Sequence, residues 1–208
     1  MSFHFENIQI NHITRSFNKK SVISLEEGNL YFINKGIVYL WEISADGNQV
    51  LVDIYGEGGV IEIPKSSSAL FELRVEDFSE ISFLNWESIE KNTNLTINIL
   101  NRLRKNSLRI QQLNIMQRKR LVEERVINFL MYLCKEFSEK SDNNRIITLP
   151  ITHEEIACTV LSTRATVTKV LNQLKKENKI SYIRRDGKRL IEVNEYLFQD
   201  EMADSLIS

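Results

Sequence analysis

Residues 152–174, THEEIACTVLSTRATVTKVLNQL, leave the chain few ways to fold. Thr152 suits a helix N-cap, and Glu155, three residues on, suits the reciprocal half of a capping box. Ile156 and Val160 lie four apart and share one helical face. A turn falls near Leu161-Ser162, and Ser162 or Thr163 then caps a second helix. On that helix Val167, Val170, Leu171 and Leu174 repeat at helical spacing and must face a core. The opposite face carries Arg164, Ala165, Thr168 and Lys169. It is short-chained, hydroxyl-bearing and cationic near its N-terminus, as a helix entering a DNA major groove end-on must be. A capped helical hairpin with a solvated face would read the same over these residues alone.

The next segment tips that balance. Residues 180–193, ISYIRRDGKRLIEV, alternate on both sides of Asp186-Gly187, and Asp-Gly between such arms is a strong hairpin signal. Arg184, Arg185, Lys188 and Arg189 flank the tip. A basic ribbon beside a basic helix describes a winged helix-turn-helix. Between residues 160 and 190 nine Lys or Arg face only Glu177 and Asp186. The candidate DNA-binding set is Thr152, Ser162, Thr163, Arg164, Ala165, Thr166, Thr168, Lys169, Arg184, Arg185, Lys188 and Arg189. Arg164 is the candidate for a bidentate contact with guanine, Thr166 and Lys169 for bases or phosphate, and the wing for phosphate.

Charge is distributed to match. Residues 1–98 carry 7 basic and 14 acidic side chains, whereas residues 99–149 carry 11 and 5. An acidic front, a basic middle and a locally basic back suit a sensor joined to a DNA reader. No apolar run approaches 18 residues, so no membrane span is expected and a cytoplasmic (or stromal) location is. Cys134 and Cys158 fall on apolar helix faces and read as reduced core residues. His4, His12 and His153 form no metal-ligand spacing, and the two cysteines are too few for an iron–sulfur cluster. Paired carboxylates, a nucleophile with its base, and a phosphate loop are all lacking from the sequence pattern, which argues against an enzyme.

From residue 22 to 83 the pattern is of short alternating strands with turn signals at Asn34-Lys35-Gly36, Asp46-Gly47 and Gly56-Glu57-Gly58-Gly59. Such spacing predicts an antiparallel barrel or sandwich. Residues 94–120 then read as one long helix. Ile99, Leu103, Asn106, Ile110, Leu113 and Gln117 fit a coiled-coil seam, with Asn106 able to fix a two-chain register. The same face could pack on the chain's own barrel, and both can hold. Residues 121–137 form another amphipathic helix, 138–145 a polar linker, 146–149 a strand, and 194–208 a short helix and tail. Residues 1–20 are uninformative.

The segments HEEIA and STRATVTKVLNQLKKENKIS resemble the bacterial Crp/Fnr superfamily of transcription regulators, and the likeness extends more loosely over nearly the whole chain. STRATVT and the helix FLMYLCKEF are similar to the global nitrogen regulators of cyanobacteria and red-algal plastids. The superfamily usually has Gly where Leu161 stands, so Leu161 should cost roughly 1–2 kcal/mol if that position needs a positive φ. The resemblance implies an α+β architecture: an N-terminal jelly-roll barrel of the cyclic-nucleotide-binding kind (1–92), a long dimerisation helix (93–120) and a C-terminal winged helix-turn-helix (121–208). It also implies double-stranded DNA, a second copy of the chain and RNA polymerase as partners.

In this superfamily the barrel holds a phosphate cassette in which an Arg clamps a cyclic phosphate. Here the matching stretch is residues 56–69, the Arg position falls near Ser66, and no Arg lies between Lys35 and Arg74, which speaks against cyclic AMP. In the nitrogen regulators 2-oxoglutarate binds between barrel and helix. The corresponding helix positions fall near Asn106 and Gln111, neither of them the expected Arg or Glu. The candidate effector pocket is therefore Gly58, Gly59, Val60, Ile61 and Arg74, with a 2-oxoglutarate-like dicarboxylate as a possible ligand. A regulator that requires no cofactor stands beside it. The rival of another class is a small-molecule-sensing adaptor whose winged helix docks on protein.

Overall fold

The computed structural model describes residues 13–63 and 69–194. The chain divides into two compact units, Met1–Gln112 and Leu113–Ser208. The expected cassette position at Ser66 and the expected tail at 195–208 lie outside the described residues.

The first unit holds two four-stranded antiparallel sheets. One has the order β1 (Ile13–Phe17), β8 (Ser79–Asn85), β3 (Asn29–Lys35), β6 (Val60–Glu62); the other has β2 (Val22–Ser24), β7 (Leu70–Val75), β4 (Val38–Ile43), β5 (Gln49–Tyr55). A core of Tyr31, Ile33, Val38, Leu40, Leu73, Val75 and Ile81 draws on both sheets and lies between them. Strand β3 is buried on both faces, which explains its unbroken apolar run LYFI. Tyr31 and Ile33 point into the sandwich, whereas Leu30 and Phe32 pack with Ile89 of α1 (Trp86–Glu90) and with Leu95 and Ile99 of α2 (Thr93–Gln117). Asn85 caps α1 through the Ser88 amide, at 2.8 Å. Strands β1 and β6 have no clear alternation in sequence and emerge only from pairing with β8 and β3.

The second unit is built from α3 (Val122–Phe137), α4 (His153–Thr159), α5 (Arg164–Lys176) and a sheet of order β11 (Ile180–Arg185), β12 (Lys188–Asn194), β10 (Asn144–Ile147), β9 (Ser138–Ser141). The expected polar linker at 138–145 is instead a hairpin. Strand β9, SEKS, has no apolar face to announce it, and Asp142 at φ +50° makes the turn. Buried Val126, Phe129, Leu130 and Leu133 give α3 the predicted apolar stripe. Cys134 is buried and Cys158 half-buried.

Candidate nucleic-acid interface and the cleft of the first unit

Helix α4 begins with the predicted capping box. The Thr152 hydroxyl accepts from the Glu155 amide at 3.2 Å, while the Thr152 amide donates to the Glu155 carboxylate at 2.7 Å. Its C-terminal carbonyls are also taken: Gln117 Nε2 donates to Thr159 O at 3.0 Å, and Arg125 Nε to Val160 O at 2.9 Å. Gln117 thus serves the C-terminal end of α4. Leu161 makes the turn at φ +50° with its side chain 56% exposed, so the left-handed conformation is real and carried by a residue with a Cβ. Thr163 then caps α5, accepting from the Thr166 amide at 3.2 Å.

Val167, Leu171 and Leu174 are buried under α5, whereas Thr163, Arg164, Ala165 and Lys169 are exposed, and Ser162, Thr166 and Thr168 are half-buried. The face of α5 that carries its short and cationic side chains is therefore solvent-accessible. The wing turns at Asp186 (φ +50°) and Gly187 (φ +73°), the left-handed pair a tight hairpin needs. Arg184 pairs across it with Arg189, and Arg185 with Lys188. Arg185 also forms an ion pair with Glu139 of β9, so its charge is partly committed within the sheet.

Two residues of this surface escaped the sequence. His153 Nδ1 lies 2.9 Å from Thr168 Oγ1, and its Nε2 lies 3.2 Å from Tyr182 Oη. The Arg189 guanidinium sits 3.7 Å above the Tyr182 ring. One imidazole thus joins the first helix, the second helix and the wing. Burial, then the positive charges of Arg189 and Arg164, push the His153 pKa below its ordinary value. Spacings of 15 and 29 residues between these partners gave no local signal.

In the first unit, helix α2 reaches the cassette through Asn106, which the sequence had placed in the seam, and through Arg102. Asn106 Nδ2 donates to Val60 O, and Arg102 donates to Gly58 O while lying 4.9 Å from the Phe32 ring centroid. Arg109 Nη2 is 2.6 Å from Asp53 Oδ2, an ion pair whose carboxylate side chain is fully buried, and it stacks over Tyr55. Of the residues expected in the seam, Ile99 and Leu103 pack on the sheet's outer face and Asn106 bonds to β6. Leu113 is buried, and Ile110 is 39% exposed. Ile97, Leu100 and Leu108 lie round the helix from those residues, each about half exposed.

The expected effector set does not assemble as a whole. Gly58 (φ +80°), Gly59, Val60 and Ile61 run together into β6, and a Cβ on Gly58 would stand 2.2 Å from Arg102 Nη1. Arg74 belongs to the other sheet. Its Nε donates to Glu72 at 2.6 Å, its Nη2 to Gln49 at 2.9 Å, and it lies over Trp41. It is held there by partners of its own. Beside β6 a cleft of about 280 Å³ is lined by Tyr55, Val60, Glu62, Leu103, Asn106, Ser107, Ile110 and Gln111. No group of three or more His, Cys, Asp or Glu able to hold a metal exists among the described residues. No helix among them is long and apolar enough to cross a membrane.

Comparison with known proteins agrees with this geometry. Residues 124–196 match the Crp-like helix-turn-helix domain. The global nitrogen regulator of Synechocystis sp. is 24% identical over 165 residues, covering 75% of this chain and 73% of that one. Its counterpart in Synechococcus elongatus is 26% identical over 162 residues, covering 73% and 72%. A CRP-family transcriptional regulator of Thermus thermophilus superposes with a TM-score of 0.73 at 20% identity, covering 91% of this chain and 96% of that one. FixK2 of Bradyrhizobium japonicum superposes with a TM-score of 0.72 at 15% identity and the same coverage.

Proposed function

We infer that this chain is a Crp/Fnr-type, sequence-specific DNA-binding transcription regulator that acts as a homodimer. The observation that carries the reading is the α4–α5 pair with its wing: both helices are capped, their apolar residues are buried, and the short and cationic side chains of α5 are exposed beside a basic ribbon. Two such helices on a two-fold axis need a roughly palindromic site with half-sites about 34 Å apart. Arg164 reads guanine, Thr166 and Lys169 reach neighbouring bases or phosphate, and Arg184, Lys188 and Arg189 hold phosphate. Likeness to the nitrogen regulators makes a GTA-like half-site the expected one.

The dimer seam lies on the outward stripe of Ile97, Leu100 and Leu108, whose apolar surface is still exposed in the single chain. The cleft offers the Gln111 amide, while Asn106 is engaged with Val60 O, and it also holds the acid Glu62, a poor lining for a dicarboxylate. Arg102 and Arg109 are already engaged with Gly58 O and Asp53. We therefore favour a regulator that binds DNA without an effector. RNA polymerase is its expected protein partner, and the cytoplasm its expected location.

Selection of binding sites from random DNA, with and without 2-oxoglutarate and cyclic AMP, tests this. An enriched palindrome without ligand is expected. Enrichment only with one ligand would identify an effector and refute the ligand-free reading. No enrichment under any condition, with weak salt dependence of DNA binding, would favour an adaptor that docks on protein.

A further inference from the structure

We propose that His153 is a positioning residue of the DNA reader: its imidazole decides which hydroxyl, that of Thr168 or that of Tyr182, turns its hydrogen outward, and DNA binding draws a proton onto the ring. This rests on the DNA-binding function inferred above. The ring lies between α5 and β11, within hydrogen-bond reach of both hydroxyls.

A neutral imidazole has one N–H donor and one acceptor. With the proton on Nδ1, the ring donates to Thr168 Oγ1, and Nε2 accepts from Tyr182. The Thr168 hydrogen is then released, while the Tyr182 hydrogen is tied up. With the proton on Nε2 the roles exchange. When both nitrogens carry protons, both hydroxyl oxygens must accept, and both hydroxyl hydrogens turn outward. Nucleic acid presents phosphate oxygens and base-edge acceptors, so the doubly protonated ring offers the most donors to it.

The free protein resists that state. The charges acting on the ring are Arg164 of α5 and Arg189 of β12, both positive, and Tyr182 of β11 is uncharged, its own pKa raised chiefly by burial. On its own helix the neighbouring carboxylates are Glu154 and Glu155, and Glu155 is bound to Thr152. Phosphate held by Arg189, and the guanine acceptors met by Arg164, offset the two positive charges and make the second proton favourable. The sign follows directly. The pKa is low in the free protein and higher in the complex, so binding takes up a proton between those two values. Affinity rises as pH falls through that window, by at most about tenfold per pH unit, and is flat outside it.

The test compares wild type with His153→Gln on the selected palindrome at fixed ionic strength, from about pH 8 to about pH 5. A Gln amide can still donate to one hydroxyl and accept from the other, but it does not titrate. His4 and His12 remain in both proteins. We expect the ratio of wild-type to His153→Gln affinity to rise as pH falls from about 8, by at most about tenfold per pH unit. Imidazole nitrogen NMR should show the His153 pKa rising on addition of the palindrome. Parallel pH profiles for the two proteins, or an unmoved His153 pKa, overturn the proposal while leaving DNA recognition intact. Failure of wild type to select any palindrome would instead refute the functional reading beneath it. Thermal unfolding of His153→Gln separates either outcome from a folding defect.

Discussion

Leu161 offers a test of backbone strain in which the expected sign reverses an ordinary rule. It bends the chain between α4 and α5 at φ +50°, where L-residues with a Cβ are disfavoured by roughly 1–2 kcal/mol. Leu161→Gly relieves that strain, but raises the entropy of the unfolded chain by about 0.5–1 kcal/mol relative to Ala. It also loses the buried part of a side chain that is 56% exposed, worth up to about 1 kcal/mol. Against wild type these terms nearly cancel. Against Leu161→Ala, which loses the same contacts and keeps the strain, Gly should be more stable by about 0.5–1 kcal/mol. In a second unit of this size that corresponds to roughly 2–8 °C in Tm. At exposed Asn172 within α5 the order must reverse, with Ala more stable than Gly by about 0.5–1 kcal/mol. Leu161→Val should be the least stable of the set, because a β-branched side chain fits that region worst. Calorimetry of the full chain reads all five variants. If Ala exceeds Gly at 161 as it does at 172, the turn does not hold the left-handed conformation and the strain argument fails.

Arg164→Ala should cost about 1–3 kcal/mol, concentrated at one base pair of the selected site, whereas Lys188→Ala should weaken every sequence alike and lower the salt slope by about one, both measured by titration of variant duplexes. Uniform loss for Arg164→Ala would remove it from base reading. Asp53→Asn leaves the Arg109 guanidinium without its buried counter-charge and should destabilise the first unit by about 3–5 kcal/mol in denaturant unfolding, while Asp53→Leu combined with Arg109→Met should recover most of that loss. Leu108→Asp should shift the chain toward monomer in sedimentation with little change in unfolding. Ile99→Ala should do the opposite, costing about 2–5 kcal/mol of stability without moving the dimerisation constant.

The reader is written in short-range signals. Thr152 with Glu155, Thr163 ahead of Arg164, the apolar repeat on α5 and the Asp186-Gly187 turn each span about two to eight residues, so each pattern is complete within a short stretch of sequence. The succession of antiparallel strands was legible for the same reason, through period-two alternation between turns. Packing settled what lay beyond that range. Helix α2 carries apolar residues all round, so periodicity alone could not say which stripe meets its own sheet. The hydrogen bond from Asn106 to β6 and the packing of Ile99 resolve it. Strands β6 and β9 are short and lack an alternating pattern, so only their partners make them strands. Nothing in the sequence ties Arg102 to Gly58 O or Arg109 to Asp53, because the fold brings them together across 44 and 56 residues of chain. His153 likewise showed only that it forms no metal-ligand spacing with His4 and His12. Its role depends on Thr168 and Tyr182, which only the packed unit places against its two nitrogens, because a hydrogen bond is set by distance in space and leaves no mark in sequence spacing.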